Sequence, residues 1–411
     1  MYFSKRAFAA AGAAITMLPG IALAQGVDYG ADKATYIAAL EDIDPIELTM
    51  QTGGTPGSVA ARHWEYYADF LEEWSGGKIE VEMAYGNSIM PGDAGPAIAD
   101  GRLAAGLVIP GYSPDDYQAL ALLNDFPVSG AQTPLTALLK NQAVLLELST
   151  GDSEVVEELT DAGVQPGLTA LPGPPTGLVC NGDYSTLDKL RGKQARVSSP
   201  NNARQVENLD MSPVSMGFNE VYEALQRGIV DCAVFSAYAA SYFGLEPVAP
   251  YFLYNSEVGI GGSVMTLGFD QYLWEDLPLP VKQLMYDGQK AFLRGWFDAQ
   301  LELTAQGVKN MTEAGGGPIL MDDESAAAIR AANESLIESI RTSPALPDAE
   351  AKVAEAQELS EKWDRLLEEL GYTEKDTGYD GVVDLEASGD LDVEPYLDRL
   401  FEEVLLAGRP E

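Results

Sequence analysis

The alternation of apolar and polar positions predicts strands and helices in turn along the first half of the chain. The stretch "IELTMQT" reads as a strand, a helix follows up to Trp74, and "KIEVEMAYG" alternates again like a strand. A Pro- and Gly-rich loop, the short helix "AGPAIADG" and the apolar run "LAAGLVIPGY" complete this unit. Strands that alternate with helices at this spacing are typical of βαβ units, so the pattern predicts an α/β domain.

A second unit of the same kind is predicted after the stretch "TALPGPPTGLVCNG", Thr169 to Gly182. Its prolines and glycines lead directly into a strand, as in a crossover between two domains, and we place a hinge there. The strands "TGLVC", "QARVSS" and "IVDCAVFS" then alternate with helices at 200–209 and in "FNEVYEALQRG". A later strand-like stretch, "GIGGSVMTLGF", is expected to cross back to the first unit.

The C-terminal part of the chain changes to a helical period. From Pro280 an apolar stripe predicts one helix of about 30 residues and about 45 Å, which is long enough to contact both domains. The stripe consists of Val281, Leu284, Met285, Phe292, Trp296, Ala299 and Leu303. Three more amphipathic helices are predicted at about 329–340, 353–370 and 395–406.

Residues 1–24 read as a secretory signal. Lys5 and Arg6 precede an apolar stretch, and Ala22-Leu23-Ala24 forms an A-x-A cleavage site. "SKRAF" also faintly resembles a twin-arginine signal, but ordinary unfolded export is favoured. No other segment reaches the roughly 18 uninterrupted apolar residues of a membrane span. We therefore expect an exported, periplasmic protein that is cleaved near Ala24 and has no membrane span in the mature chain.

The chain is strongly acidic. Its 25 Lys and Arg face 64 Asp and Glu, for a formal net charge of -39, and removal of the predicted signal with its two cations brings the charge to -41. Such a surface repels nucleic acid and anionic lipid, so no nucleic-acid partner is expected. An arginine within an apolar stretch is then informative, because an anionic ligand must be held against this field by a local positive group.

The single histidine, His63, limits the chemistry that the chain can perform. A Ser-His-Asp or Cys-His site would have to use it, and multi-histidine zinc sites are excluded. His63 falls on a helical stripe with Val59, Tyr66, Phe70 and Trp74, which favours a packed histidine over a functional one. No cofactor is predicted.

The two cysteines, Cys180 and Cys232, are candidates for one disulfide because the chain is predicted to be exported. The bond would close a loop of about 50 residues, for a chain-entropy gain of about 4 kcal/mol. The sequence leaves open whether their Cα atoms approach closely enough to be bonded.

The acidic stretch "DTGYDGVVDLEASGDLDVE" suggests a calcium loop at first sight. In the register of an EF-hand loop that starts at Asp376, however, Gly378 and Ala387 take the third and twelfth positions, where oxygen ligands are required. We therefore predict an acidic, solvated loop and no metal site.

Several motifs resemble one family of transport proteins. "GKIEVEMAYGNSIMPGDAGPAIADGRLAAG", "LLNDFP", "LDKLRGKQARV", "SPVSMGFNEVYEALQRGIVD" and "APYFLY" are similar to the dicarboxylate-receptor-like solute-binding subunits of tripartite ATP-independent periplasmic (TRAP) transporters. The resemblance spans roughly Ile46 to Asn310. Its most specific register consists of Arg196, Glu220, Val221, Tyr222, Ala224, Leu225, Gln226, Gly228 and Asp231.

This resemblance implies both a fold and a role. The fold is α/β and periplasmic-binding-protein-like, with two lobes, hinge crossings and a long helix that spans both lobes. The role is that of a receptor which delivers a small organic acid to TRAP membrane permease subunits.

The resemblance also implies ligand-binding residues. Arg196 takes the position of the family's ligand arginine, and a planar guanidinium forms two parallel charge-assisted hydrogen bonds with a carboxylate. The alternative for Arg196 is an internal salt bridge to an Asp or Glu. Phe218 takes the position whose ring stacks on ligand carbons, with a core phenylalanine as the alternative. Gln51 matches a polar contact from the other lobe, and Tyr112 is a further candidate.

Two more candidate contacts, Thr176 and Phe235, depart from the family pattern. Thr176 stands where some acid-binding members place a second arginine, and Phe235 stands where an amide is common; the turn glycine before it is Cys232. Losing a cation and an amide while gaining a ring makes the pocket less polar. The sequence therefore suggests a monocarboxylate with a bulky or apolar body.

These features predict the organisation of the whole chain. We expect the signal at 1–24, lobe I at 45–172 and 263–305, lobe II at 173–262 and 306–370, and an acidic extension with a terminal helix at 371–411. The predicted function is capture of a carboxylate-containing molecule by inter-lobe closure, without catalysis. Two alternatives stay open: an exported hydrolase with paired carboxylates, and a binding protein for an ABC importer or a sensor.

Overall fold

Two six-stranded sheets organise the residues that the computed structural model describes, which are 26–123, 126, 130, 132–262, 264–373 and 378–411. The first sheet contains β1 (Ile46–Thr52), β2 (Ile79–Tyr85), β3 (Ala105–Val108), β4 (Val164–Pro166), β5 (Leu171–Pro172) and β11 (Val264–Asp270). The second contains β6 (Gly177–Cys180), β7 (Gln194–Val197), β8 (Ser212–Ser215), β9 (Cys232–Phe235), β10 (Tyr251–Tyr254) and β12 (Gly317–Leu320). We call each sheet with the helices packed on it the first and the second lobe.

The predicted α/β class with two lobes is confirmed. The first sheet has the strand order β2-β1-β3-β11-β4, with β5 paired to β11, and the second has the order β12-β10-β6-β9-β7-β8. In the first sheet β1 is parallel to β2 and β3, and in the second β7 is parallel to β8 and β9. The chain passes between the sheets after β5, after β10 and again through the helices between β11 and β12. The predicted signal and its cleavage site lie outside the described residues.

Helices cover both sheets. The α-helices of the described residues are α1 (Lys33–Ala39), α2 (Arg62–Trp74), α3 (Gly95–Ala99), α4 (Gln118–Leu123), α5 (Thr136–Ser149), α6 (Ser153–Asp161), α7 (Leu187–Leu190), α8 (Pro200–Asn208), α9 (Val221–Gln226), α10 (Ala237–Tyr242), α11 (Gln271–Asp276), α12 (Leu279–Asp287), α13 (Gln289–Glu313), α14 (Asp323–Arg341), α15 (Ala349–Glu369), α16 (Gly378–Ser388) and α17 (Glu394–Glu403). None of them combines the length and the hydropathy that a bilayer crossing requires.

The long helix predicted from Pro280 is divided in two at Gly288. A Cβ atom at Gly288 would lie 2.9 Å from the rings of both Tyr67 and Phe70, so the chain passes α2 there at a distance that only glycine permits. The second part, α13, still has 25 residues and is about 37 Å long.

α13 contacts both lobes through glycines. A Cβ at Gly295 would lie 2.7 Å from the Cα of His63 in α2, and a Cβ at Gly307 would lie 2.3 Å from the carbonyl oxygen of Ala237 in α10. Close backbone packing of this kind fixes the helix against each lobe separately. The predicted long helix that spans both lobes is therefore present as α13.

The buried face of α2 differs in part from the predicted stripe. His63, Trp64, Tyr67 and Leu71 are buried, whereas Tyr66 is 40% exposed. The stripe was wrong for Tyr66 because α13 covers the face that carries His63 and Tyr67, and Tyr66 points away from it.

His63 is expected to make the stability of the protein depend on pH. Its ring packs edge-on against Phe292 and Trp296, at 5.1 and 5.3 Å between ring centroids, and burial lowers the pKa of His63 from 6.5 to about 3. Below pH 6.5 the unfolded chain therefore takes up a proton that the folded protein does not, so the free energy of unfolding falls as the pH falls toward about 3. His63→Phe should lose this part of the slope. Urea unfolding of both proteins at pH 7.5 and pH 5 measures it, and parallel changes in the two proteins would contradict it.

The C-terminal helices correct two sequence expectations. α15 falls in the range predicted for lobe II, but it packs on α5, and Val353, Leu359 and Trp363 are buried in the core of the first lobe. The lobe was predicted wrongly because the apolar stripe of α15 does not indicate which lobe the helix packs on. Trp363 Nε1 also donates a hydrogen bond to the Glu147 carboxylate (2.8 Å).

The predicted solvated loop after Asp376 is wrong for Gly378–Ser388, which forms α16, whereas residues 389–393 do form a short acidic loop. Tyr379 is buried with its ring edge-on to Phe252 and Tyr254, at 5.0 and 4.7 Å, and Val382 is also buried. The helix buries these apolar side chains beside α13 while its carboxylates stay outside. The expected terminal helix is α17.

Candidate functional site

Arg196 lies within the second sheet. On β7 it stands level with Val214 of β8 and Ala233 of β9. Ala195 and Val197 are buried in the apolar core, and successive side chains of a strand alternate between faces. The strand therefore directs the Arg196 side chain to the opposite face of the sheet.

The guanidinium of Arg196 is buried, and two of its nitrogens are unpaired. Arg196 is 1% exposed, and its Nε donates a hydrogen bond to the carbonyl oxygen of Met216 (3.1 Å). The two terminal nitrogens, Nη1 and Nη2, have no hydrogen-bond partner among the described residues. The internal salt bridge that was the alternative for this arginine is thus not formed within the described part of the chain.

The guanidinium lies against two aromatic rings, Phe218 and Phe235, which stack on each other at 6.0 Å between ring centroids. The Cζ atom of Arg196 lies 4.9 Å from the centroid of Phe218 and 4.7 Å from that of Phe235. The faces of aromatic rings attract cations, although less strongly than a carboxylate does. The rings therefore orient the planar group and leave its outer nitrogens available.

Burial lowers the pKa of Arg196 to about 10, and the nearby Tyr112 hydroxyl group weakly opposes this fall. The guanidinium therefore stays charged at neutral pH. A shift of this size corresponds to a cost of about 3 kcal/mol for keeping the charge away from water. An anion bonded to both terminal nitrogens would offset that cost.

Aromatic side chains from both lobes meet around this group. Phe243, directly after α10, stacks on Phe218 at 5.3 Å and lies 5.5 Å from Phe235. Tyr112, which follows β3 of the first lobe, lies 5.6 Å from Phe218. Four rings and one cation thus form an apolar site between the lobes. Sequence reasoning missed Phe243; the aromatic run "YAASYFG" after a buried strand was the only signal for it.

Asp93 is a second residue that sequence reasoning missed. Its carboxylate accepts hydrogen bonds from the backbone N–H groups of Gly95 and Ile109, both at 3.0 Å, and burial raises its pKa. Burial also raises the pKa of Tyr112 to about 12, with Arg196 acting against that rise and Asp93 adding to it. The Tyr112 hydroxyl therefore remains a hydrogen-bond donor at neutral pH. In the sequence Asp93 is a single acidic residue in a Gly-rich loop, which gives little indication that it lies near the site.

The side chains of Gln51 and Thr176, which were predicted to contact a ligand, interact with backbone groups of the protein. The amide of Gln51 donates to the Met90 carbonyl oxygen (2.8 Å) and accepts from the Met90 N–H (3.0 Å), so it holds the loop after β2. Thr176 pairs with Ile260 where two crossing segments meet, and its hydroxyl lies 3.5 Å from the Pro174 carbonyl oxygen. A ligand contact by either side chain stays a prediction.

Cys180 and Cys232 are joined in a disulfide. They stand opposite each other on β6 and β9, and both are fully buried. The bond therefore ties together the strand that follows the first crossing and the strand that carries Phe235.

One surface cavity, of about 510 Å³, is unsuited to binding an anion. It lies at α4 and α6 and is lined by Asp116, Glu154, Glu157, Glu158 and Asp161. Its field would repel a carboxylate. Within the described residues no group of three or more His, Cys, Asp or Glu side chains is arranged to hold a metal ion.

Comparison with solved structures shows the same fold in solute-binding proteins. The chain is 15% identical to a marine metagenome TRAP solute-binding protein specific for pyroglutamate, with a TM-score of 0.62 over 79% of this chain and all of that one. It is 19% identical to a marine metagenome protein specific for aromatic acid ligands, solved with 3-hydroxybenzoate, with a TM-score of 0.64 over 78% of this chain and 100% of that one.

A third structure has a TM-score of 0.65. It is a TRAP solute-binding protein from Rhodoferax ferrireducens in complex with copurified benzoate, 16% identical over 78% of this chain and 99% of that one. None of the curated proteins compared is similar to the chain in sequence.

A family model matches the chain independently of the fold. Residues 176–343, which include Arg196, Phe218 and Phe235, match the model for DctP, bacterial extracellular solute-binding protein, family 7. The resemblance expected from the sequence is thereby confirmed: residues 176–343 match the family 7 extracellular solute-binding model, and the chain is similar in fold to TRAP solute-binding proteins.

Proposed function

We propose that this protein is a periplasmic receptor that captures a small monocarboxylate and delivers it to a TRAP-type membrane permease. The observation that carries the proposal is the buried Arg196 guanidinium, which lies against two aromatic rings and whose two terminal nitrogens have no hydrogen-bond partner in the described residues. A carboxylate matches this group in charge and in the spacing of its two oxygens. The protein acts by binding and release, without turnover.

Lobe closure is coupled to the charge of the ligand in this proposal. When the lobes are apart, water solvates the guanidinium; when they close, the charge loses that water. Without an anion, closure is opposed by the dehydration of the guanidinium, the same effect that lowers the pKa of Arg196. A bound carboxylate supplies two charge-assisted hydrogen bonds and offsets this cost, so closure follows capture.

The walls of the site favour a ligand with an apolar body. Phe218, Phe235, Phe243 and Tyr112 surround the cation, and no second cation was found at Thr176, where some family members carry one. A second carboxylate on the ligand would be buried against rings without a partner, at a cost of several kcal/mol. An aromatic or cyclic monocarboxylate therefore fits better than a sugar acid or a dicarboxylate. Two of the similar structures hold aromatic monocarboxylates, benzoate and 3-hydroxybenzoate.

No comparable observation supports the two alternative functions, a hydrolase and a binding protein for an ABC importer or a sensor. At the Arg196 site a hydrolase with paired carboxylates would need two acids, whereas Asp93 is the one acidic side chain that interacts with Tyr112 in the described residues. Delivery to an ABC importer or a sensor would use the same fold, and the family model is what favours the TRAP permease.

The test combines native mass spectrometry with isothermal titration. Protein purified from its periplasm without denaturation should carry a small acid, and ligand-free protein should bind benzoate or 3-hydroxybenzoate more tightly than D-glucuronate or succinate. Tight binding of succinate alone would contradict the ligand class. Chemical conversion of a bound compound would contradict the receptor itself.

A further inference from the structure

A tyrosine of the second lobe ends directly above a glycine of the first. Gly53 follows β1, and Tyr242 is the last residue of α10. A Cβ atom built at Gly53 would lie 2.2 Å from the Tyr242 hydroxyl oxygen, far inside any van der Waals contact, and 3.5 Å from the ring carbon Cζ that bears the hydroxyl. The clash is thus confined to one oxygen atom.

The backbone does not account for glycine at this position. The φ angle of Gly53 is outside the left-handed region that favours glycine, unlike that of Gly57 or Gly86 nearby. Apart from the hydroxyl, the nearest atom is Asn87 Nδ2 at 3.2 Å, a tight approach that a shift of a few tenths of an ångström at the end of the Asn87 side chain relieves. The absence of a side chain at Gly53 therefore serves the approach of Tyr242.

Tyr242 has little freedom to move aside. Its ring lies edge-on to Phe243 at 4.9 Å and 5.8 Å from Tyr238. The N-cap residue of α10 is Ser236, whose hydroxyl accepts a hydrogen bond from the Ala239 N–H (3.2 Å). Because Phe243 also stacks on Phe218, the same ring cluster borders the cation site and supports Tyr242.

From this geometry we propose that Tyr242 and Gly53 form a closure latch. The Tyr242 hydroxyl fits over Gly53 only when the lobes are closed, and this contact retains the ligand. Tyr242 is then a positioning residue, since it acts through the ring cluster and not on the carboxylate. The inference rests on the proposed function, because a latch matters for binding only in a receptor that closes.

Four variants isolate the latch. Gly53→Ala adds the clashing methyl group, and Tyr242→Phe removes the oxygen it would meet. The double variant Gly53→Ala/Tyr242→Phe has both changes and should close again, because the remaining ring carbon is at ordinary contact distance. Tyr66→Phe is the control, since Tyr66 lies on α2 of the first lobe and is 40% exposed.

Benzoate affinity and off-rate are the first readout. We expect Gly53→Ala to bind at least 10-fold more weakly through a faster off-rate with an unchanged thermal midpoint. Tyr242→Phe loses the hydroxyl contact, so it should bind about 3-fold more weakly through a faster off-rate, and the double variant should recover to the affinity of Tyr242→Phe. Tyr66→Phe should bind like the unchanged protein. Equal binding by Gly53→Ala, or failure of the double variant to recover, would overturn the latch and leave the proposed function standing.

The distance between the lobes is the second readout and needs no ligand affinity. Spin labels at Tyr272 in the first lobe and Ile229 in the second, 70% and 50% exposed, report the separation of the lobes by double electron–electron resonance. Gly53→Ala should lose the short-distance population with benzoate present, and the double variant should regain it. If the unchanged protein binds none of benzoate, pyroglutamate and D-glucuronate, the proposed function fails. The latch is then decided by these distances in an Arg196→Met background, which lacks the charge that opposes closure without a ligand; identical distributions with and without Gly53→Ala in that background would overturn it.

Discussion

Arg196→Met is expected to abolish carboxylate binding while making the unliganded protein easier to close. Loss of the bidentate pair should weaken binding by at least about 1.5 to 3 kcal/mol, or about 10- to 150-fold. Methionine fills similar space against Phe218 and Phe235 and has no charge to dehydrate. The dehydration of the guanidinium that opposes closure in the unchanged protein is therefore absent in the variant.

Calorimetry and small-angle scattering measure the two halves of this prediction. Titration with benzoate should show no binding to Arg196→Met, and the radius of gyration of the ligand-free variant should match that of ligand-bound unchanged protein. Arg196→Lys is the matched control, because it keeps the charge but loses the planar fork, so it should bind weakly and stay open. Unchanged affinity in Arg196→Met would refute the assignment of the site.

Removal of residues 374–411 is expected to prevent folding, although this segment reads as an acidic extension. α17 buries four large side chains at 0 to 1% exposure, and Arg409 forms an ion pair with Asp287 through two hydrogen bonds of 2.7 and 3.0 Å. The four side chains are Tyr396, Leu397, Leu400 and Phe401. Each is worth about 2 to 5 kcal/mol when truncated, and together they exceed the net stability of about 5 to 15 kcal/mol of an ordinary domain.

Point variants at Tyr396 test the same prediction in smaller steps. Tyr396→Ala should lower the free energy of unfolding by about 3 to 5 kcal/mol, whereas Tyr396→Phe loses only the hydrogen bond to the Leu139 carbonyl oxygen (2.8 Å) and about 1 kcal/mol. Urea unfolding followed by circular dichroism measures both, with deletion of Glu411 alone as a neutral control. A shortened chain that unfolds at the same urea concentration as the full one would show that the segment is dispensable.

Much of the site was predictable because it follows strands. Arg196 and Phe235 lie on or at the end of apolar strands, whose period of two is legible in the sequence, and the surrounding motifs identified the family. Phe243, Asp93 and Tyr242 were not predictable in the same way. Each lies in a loop or at a helix end, and its relation to Arg196 depends on how two segments far apart in the chain approach each other.

The sequence by itself determined the alternation of strands and helices, the two lobes and the arginine that a carboxylate would need. These follow from local periodicity and from the scarcity of cations in a chain of net charge -39. Only the tertiary structure decided that the guanidinium has no internal counter-ion in the described residues, that α15 covers the first lobe, and that Gly53 lies beneath Tyr242. Pairing, burial and steric fit are relations between distant segments, and the order of residues along one segment does not encode them.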